Sequence, residues 1–224
     1  MKNINIGIAG LGTVGSGVIK YLRLNKQLLK DRSLLDINIL AVSARNKNKK
    51  RSLDVSESLW VDDPVNLANI KDLDIVVELI GGETGKAFEL AEKCIKNHKP
   101  LVTANKAMIA THGLELCTLS EKNNTNIGFE AAVAGGIPVL KALREGLVAN
   151  NISSVYGILN GTCNYVLSQM SEKGISFDKA IREAQKLGYA ESDPSEDISG
   201  KDTASKLSIL SSLAFGCKSN VENF

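Results

Sequence analysis

Residues 4–15 read Ile4-Asn5-Ile6-Gly7-Ile8-Ala9-Gly10-Leu11-Gly12-Thr13-Val14-Gly15. A short apolar run enters a Gly-x-Gly-x-x-Gly turn, and an amphipathic helical pattern over residues 14–29 comes directly after it. In a dinucleotide site each glycine has its own physical task. Gly10 permits the tight turn, Gly12 lets the backbone approach a pyrophosphate, and Gly15 lets helix and strand pack closely. The pyrophosphate then meets unpaired N–H groups and the positive dipole end of the helix. A glycine turn by itself can be purely structural. Here the strand before it and the helix after it point to a bound dinucleotide, contacted by Gly10, Gly12, Thr13, Val14 and Gly15.

Outward from this turn, strand and helix patterns alternate. Residues 36–42 and 74–79 predict strands, the latter closed by Gly81-Gly82. Residues 87–97 carry Ala87, Leu90, Ala91, Cys94 and Ile95 at helical spacing. Further along come a strand over 100–103, a helix over 113–122 and a strand over 126–130. Strands that are apolar throughout and separated by helices predict a doubly wound, Rossmann-like α/β fold, its parallel sheet covered on both faces. Ligands of such sheets lie outside the carboxyl ends of the strands.

The pattern changes at Glu130, where Gly135-Gly136-Ile137-Pro138 breaks the chain. A short helix over 139–145, a β-branched strand over 152–159, and helices over 163–173, 178–187 and 202–215 predict a second, smaller α+β domain. The division expected is 1–129 for the nucleotide and 130–224 for the substrate.

Composition narrows the class. The net charge of +2 over 224 residues, with 4% aromatics, gives no reason to expect a nucleic-acid partner. No apolar run approaches the ~20 residues that cross a bilayer, and no signal pattern opens the chain. Cys94, Cys117, Cys163 and Cys217 are scattered without a CxxC pair, and His98 and His112 are the only histidines. Reduced thiols in a soluble cytoplasmic protein are the expectation, with neither a disulfide framework nor a zinc site.

The residues just beyond the second strand decide the cofactor. NAD sites usually place a carboxylate there for the ribose 2′-hydroxyl. This chain offers Ser43-Ala44-Arg45, then Lys47, Lys49, Lys50 and Arg51. Cationic side chains at that place suit a 2′-phosphate, so NADP(H) is favoured over NAD(H), with Arg45 the leading candidate. A solvated basic loop is the plain alternative.

Five further motifs occur in order. They are Val102-Thr103-Ala104-Asn105-Lys106-Ala107, the Gly128 to Pro138 stretch, Gly157-Ile158-Leu159-Asn160-Gly161-Thr162-Cys163-Asn164-Tyr165, Gly188-Tyr189-Ala190-Glu191-Ser192-Asp193-Pro194, and Asp197-x-x-Gly200-x-Asp202-x-x-x-Lys206. Together with the glycine turn they closely resemble homoserine dehydrogenase, from Asn5 to about Phe215. The resemblance implies interconversion of L-homoserine and L-aspartate 4-semialdehyde with a nicotinamide cofactor. It makes Lys206 the proton-transfer lysine and Lys106 a second lysine near cofactor and substrate. It gives Glu191 the substrate's amino group, assisted by Asp202, and suggests Thr162 and Asn164 as pocket residues. It also implies a monovalent cation, generally Na+, at Glu130, Val133, Gly135 and Ile137; a glycine-rich hinge between domains is the alternative reading of that stretch.

The residues themselves support part of this. Lys206 shares a helical face with Ile209, Leu210 and Leu213, and a charge on an apolar face is costly unless it is used. Asp202 lies one turn earlier and could orient it, although a surface ion pair would also fit that spacing. Asp193, Glu196 and Asp197 read as solvated or capping residues, and Asn160-Gly161 as an ordinary turn. A non-catalytic remnant that binds cofactor or a partner is the competing reading, and a related small-molecule dehydrogenase the third. No appended regulatory domain is visible, and an N-terminal kinase fusion is not expected. In the family the polypeptide continues well past the helix matching 202–215, whereas 216–224 end this chain. The expectation is an incomplete substrate domain, reduced stability, and low activity or reliance on association. The family's usual homodimer is doubtful for so short a chain.

Overall fold

β1 (Lys2–Ala9) is exposed at its start and fully buried by Ile8 and Ala9, so its carboxyl end lies in the protein interior. The computed structural model describes every residue except Ser52, Ser192 and Asn220, and the side chain of Asn223. It forms two compact units, Met1–Gly136 and Ile137–Phe224.

In the first unit six strands form one sheet in the order β3-β2-β1-β4-β5-β6. The strands are β1, β2 (Leu35–Ser43), β3 (Leu59–Trp60), β4 (Ile75–Glu78), β5 (Leu101–Thr103) and β6 (Ile127–Gly128). All five pairings are parallel. The order reverses between β1 and β4, and there the strand ends open a crevice. One core cluster joins Ile6, Ile8, Leu11, Ile19, Val42 and Val77. Elsewhere Leu90, Ile95, Leu101, Met108 and Leu116 are fully buried. Each such side chain contributes about 1.5–3 kcal/mol by leaving water.

The helices depart from the sequence expectation where local chemistry intervenes. The pattern over 14–29 splits into α1 (Thr13–Leu24) and α2 (Lys26–Ser33), with Asn25 between them. The Asn25 side-chain amide donates to Tyr21 O at 3.0 Å, the kind of local bond that competes with the helical ladder. α3 (Lys86–Lys96) buries the five residues that its spacing singles out. α4 (Lys106–Lys122) begins seven residues before the expected 113, because Asn105 Oδ1 accepts from Met108 N at 3.1 Å and caps it.

In the second unit come α5 (Val139–Lys141), a π-type turn over Ala142–Gly146, α6 (Gly161–Lys173), α7 (Phe177–Lys186), α8 (Ser195–Ile198) and α9 (Lys201–Phe215). One core cluster joins Val166, Ala180, Ala184 and Ala190, with Tyr165, Met170, Ile175 and Ile181 packed around them, and Leu140, Ile209 and Leu210 are also buried. Residues 152–159, expected as a strand, are irregular, and among the described residues this unit has no strand. A strand exists only through the ladder it makes with a neighbour. Without one, Tyr156 and Ile158 stay 94% and 75% exposed.

Candidate functional site

The glycine turn carries out its three tasks separately. Gly10 has φ +101°, and a Cβ there would overlap the Leu79 carbonyl. A Cβ on Gly15 would overlap the carbonyl oxygen of Gly10, so helix and turn touch backbone to backbone. A Cβ on Gly12 would meet nothing within 4 Å. That open approach lies at the N-terminus of α1, where Gly12 supplies no side-chain cap for the N–H groups of the first turn. Thr13 and Val14 open the helix, both exposed.

A cleft of about 820 Å³ runs from Gly10 and Gly12 past Ser43 to Arg45, Lys49 and Arg51. Ser43 is fully buried, and its hydroxyl has no hydrogen-bond partner among the described residues. Arg45 is exposed at the rim. Arg51 is used differently: it donates to the carbonyls of Asn46 at 2.6 Å and Lys49 at 3.0 Å, and lies over the Trp60 ring at 5.4 Å. It shapes the basic loop, which then presents Arg45 and Lys49. Across the cleft Lys86 Nζ donates to Asp63 Oδ2 at 3.1 Å. This bond, with one from Val65 N, holds the Asp63 carboxyl below its ordinary range, and Asp63 and Glu89 push the Lys86 ammonium up.

Where β4 and β5 end, a carboxylate that local sequence does not single out organises the backbone. Glu78 is fully buried; its Oε1 accepts from Ile80 N at 2.6 Å and Gly81 N at 3.1 Å. Thr103 Oγ1 donates to Glu78 Oε2 at 2.5 Å and accepts from Asn105 N at 2.9 Å. Asn105 Nδ2 closes the ring on Gly82 O at 2.7 Å. The ring fixes the Gly81-Gly82 loop and the start of α4, whose first residue is Lys106. Its only sequence signal is a charged residue that closes an otherwise apolar strand.

In the second unit a polar cleft of about 680 Å³ is lined by Asn160, Thr162, Asn164, Tyr189, Asp197, Asp202 and Lys206, among others. α9 puts Asp202 and Lys206 one turn apart, beside the buried Ile209 and Leu210. Lys206 Nζ donates to Asp202 Oδ2 at 2.7 Å and to Leu159 O at 2.8 Å. The pair is largely withdrawn from water, with side-chain exposures of 21% and 7%. Asn160 Nδ2 donates to Asp202 Oδ2 at 2.8 Å and to Asp197 Oδ1 at 2.7 Å, so neither Asn160 nor Asp197 is the bystander its local sequence suggests. Thr162 Oγ1 donates to Tyr189 O at 2.8 Å, and the Tyr165 and Tyr189 rings pack at 4.9 Å. Burial, together with the charges of Asp197 and Asp202, pushes the Cys163 thiol up.

The remaining expected site residues lie elsewhere. Glu191 is exposed; its carbonyl accepts from Gln185 Nε2 at 3.2 Å. Ser192 of the same motif lies outside the described residues. Glu130 opens a 3₁₀ turn, Glu130–Ala132; Val133 is buried, and Gly135 and Ile137 are exposed. Among the described residues no cluster of three His, Cys, Asp or Glu could hold a metal ion. Nor is any helix among them long and apolar enough to cross a membrane.

The family model for the homoserine dehydrogenase NAD-binding domain matches residues 10–130, and that for homoserine dehydrogenase matches residues 138–224. The chain belongs to the homoserine dehydrogenase family. A homoserine dehydrogenase of Neisseria gonorrhoeae is 50% identical over 220 residues, covering 98% of this chain and 50% of the relative. The crystal structure of a homoserine dehydrogenase from Thiobacillus denitrificans superposes with a TM-score of 0.91 at 45% identity, over 98% of this chain and 51% of that one. A hyperthermophilic archaeal homoserine dehydrogenase, solved in complex with NADPH, gives a TM-score of 0.83 at 28% identity over 96% of this chain and 71% of its own. The chain thus spans about half the length of the curated homoserine dehydrogenases it matches.

Proposed function

We propose that the protein interconverts L-homoserine and L-aspartate 4-semialdehyde, with NADP(H) as hydride carrier. The observation that carries this reading is the Lys206 ammonium, held between the Asp202 carboxylate and the Leu159 carbonyl at the wall of a polar cleft. Reduction of the aldehyde needs a group that gives its oxygen a proton as hydride arrives, and an ammonium held at the cleft wall can donate it; in the reverse oxidation the neutral amine takes that proton back from the hydroxyl. Lys106, at the start of α4 in the nucleotide-binding unit, is the second lysine of the reaction. Glu191 and Asp202 supply carboxylates for the substrate's ammonium, which must be paired once water is excluded.

The nucleotide cleft fits a dinucleotide: the Gly12 approach is open, and the buried Ser43 hydroxyl has no hydrogen-bond partner among the described residues. When bound, the nicotinamide supplies the hydride-accepting ring. Gly10, Gly12, Thr13, Val14 and Gly15 would hold the pyrophosphate. The preference for NADP(H) rests on the basic rim at Arg45 and Lys49, where an NAD site has a carboxylate. A monovalent cation on Glu130 and the carbonyls of Val133, Gly135 and Ile137 belongs to the same reading, since hard oxygen donors suit Na+. The test is homoserine-dependent reduction of NADP+ beside NAD+, with and without added Na+. Faster reduction of NADP+ is expected. No reduction of either nucleotide refutes the activity, and equal rates refute the preference.

A further inference from the structure

We propose that Asn160 is a positioning residue of the acid–base site, acting through Asp202 on Lys206. The proposal rests on the reading of Lys206 as the proton-transfer group. Asn160 is 7% exposed, and the bonds it makes use both amide hydrogens and the amide oxygen. Oδ1 accepts from Cys163 N at 2.7 Å and so caps α6. Nδ2 spends one hydrogen on Asp197 Oδ1 and the other on Asp202 Oδ2, the oxygen that also takes Lys206. The residue before it, Leu159, gives its carbonyl to the same ammonium. One dipeptide therefore grips both ends of the Asp202–Lys206 pair.

Asp197 and Asp202 would repel each other, yet both lie within 2.8 Å of one nitrogen. A neutral amide between them supplies a positive dipole to each without adding a charge that would compete for Lys206. An ammonium in that place would compete with Lys206, and a carboxylate would expel Asp202. The capping role alone has no such requirement, because Asn, Asp and Ser serve about equally well at a helix N-cap.

That equivalence separates the two roles experimentally. Asn160→Asp and Asn160→Ser keep an oxygen for Cys163 N but lose the Nδ2 amide that bridges Asp197 and Asp202. Homoserine oxidation at saturating substrate should fall at least ten-fold in each variant. KM for NADP+ should stay within two-fold of wild type, because every residue lining the nucleotide cleft belongs to the other unit. In the Asp202→Asn background, adding Asn160→Asp should cost much less than it does alone, because the two act on one path. The crystal structure of Asn160→Ser provides a readout without turnover: Asp202 Oδ2 should lie beyond hydrogen-bond reach of Lys206 Nζ. Wild-type kcat in both variants, or an intact 2.7 Å pair in that structure, overturns the proposal. Absence of homoserine oxidation in the wild-type protein would refute the enzymatic reading instead, and the crystal structure would still decide whether Asn160 holds the pair.

Discussion

At the scale of single residues, the two clefts carry charges of different kinds. Lys206 sits in a fixed cradle, so its loss should be felt in the chemical step. Lys206→Ala is expected to lower kcat by about 10²–10⁴ while leaving NADPH affinity unchanged. Glu191→Ala, which touches the amino group in this reading, should instead raise KM for homoserine. Normal kcat in Lys206→Ala would mean that another group carries the proton. Arg45 is exposed, so water screens its contribution. Arg45→Ala should weaken NADPH about ten-fold with NADH unaffected, as charge-assisted hydrogen bonds of a guanidinium to a 2′-phosphate would require. Equal weakening of both nucleotides in a fluorescence titration would count against the assignment. The cysteines offer a check on burial. Burial pushes the Cys94 thiol up to about 12, and Cys163 is also raised. Since only the thiolate reacts, raised thiols are protected at pH 8. Iodoacetamide should label the exposed Cys217 first, Cys163 more slowly, and Cys94 only on unfolding.

At the scale of elements, the strand–turn–helix of β1 and α1 makes a contrast between its glycines. Gly15→Ala must push Gly10 and α1 apart, backbone against backbone. It should destabilise the protein by about 1–3 kcal/mol, as overpacking does, and weaken cofactor binding with it. Gly12→Ala meets no protein atom, so the melting temperature should move little while NADPH affinity falls at least ten-fold. If Gly12→Ala bound NADPH normally, the pyrophosphate would have to lie elsewhere. Such roles are legible in sequence because they are local: three glycines within six residues fix a backbone path. The Asp202–Lys206 pair is legible for the same reason, one helical turn apart. Asn160 is not, because the carboxylates it bridges lie 37 and 42 residues away, and only the folded chain brings an apparent turn residue between them. β3, two residues long, is too short for any periodicity to announce. Residues 152–159 have strand composition, but composition cannot say whether a neighbouring strand exists.

At the scale of the whole molecule, the cleft at the glycine turn and the cleft that holds Lys206 fall in different compact units. The first unit has a six-stranded sheet and a large buried core, and every residue lining its cleft belongs to it. The second has a smaller core: a cluster of alanines and a valine with their aromatic and aliphatic neighbours, and the buried Leu140, Ile209 and Leu210. Burial grows with domain size and strongly favours the larger unit. Residues 1–136 alone should therefore fold cooperatively and bind NADPH within three-fold of the whole chain's affinity, with no homoserine oxidation. Because NADPH binds only the folded state, it should raise the melting temperature of this fragment progressively as ligand concentration rises, as linkage requires. Residues 137–224 alone should show little cooperative unfolding by circular dichroism, and NADPH should not change that. A fragment 1–136 that binds NADPH more than ten-fold less tightly than the whole chain would show that the nucleotide needs groups from the second unit, and the assignment of the cofactor to the glycine turn, Ser43 and the basic rim would have to be widened.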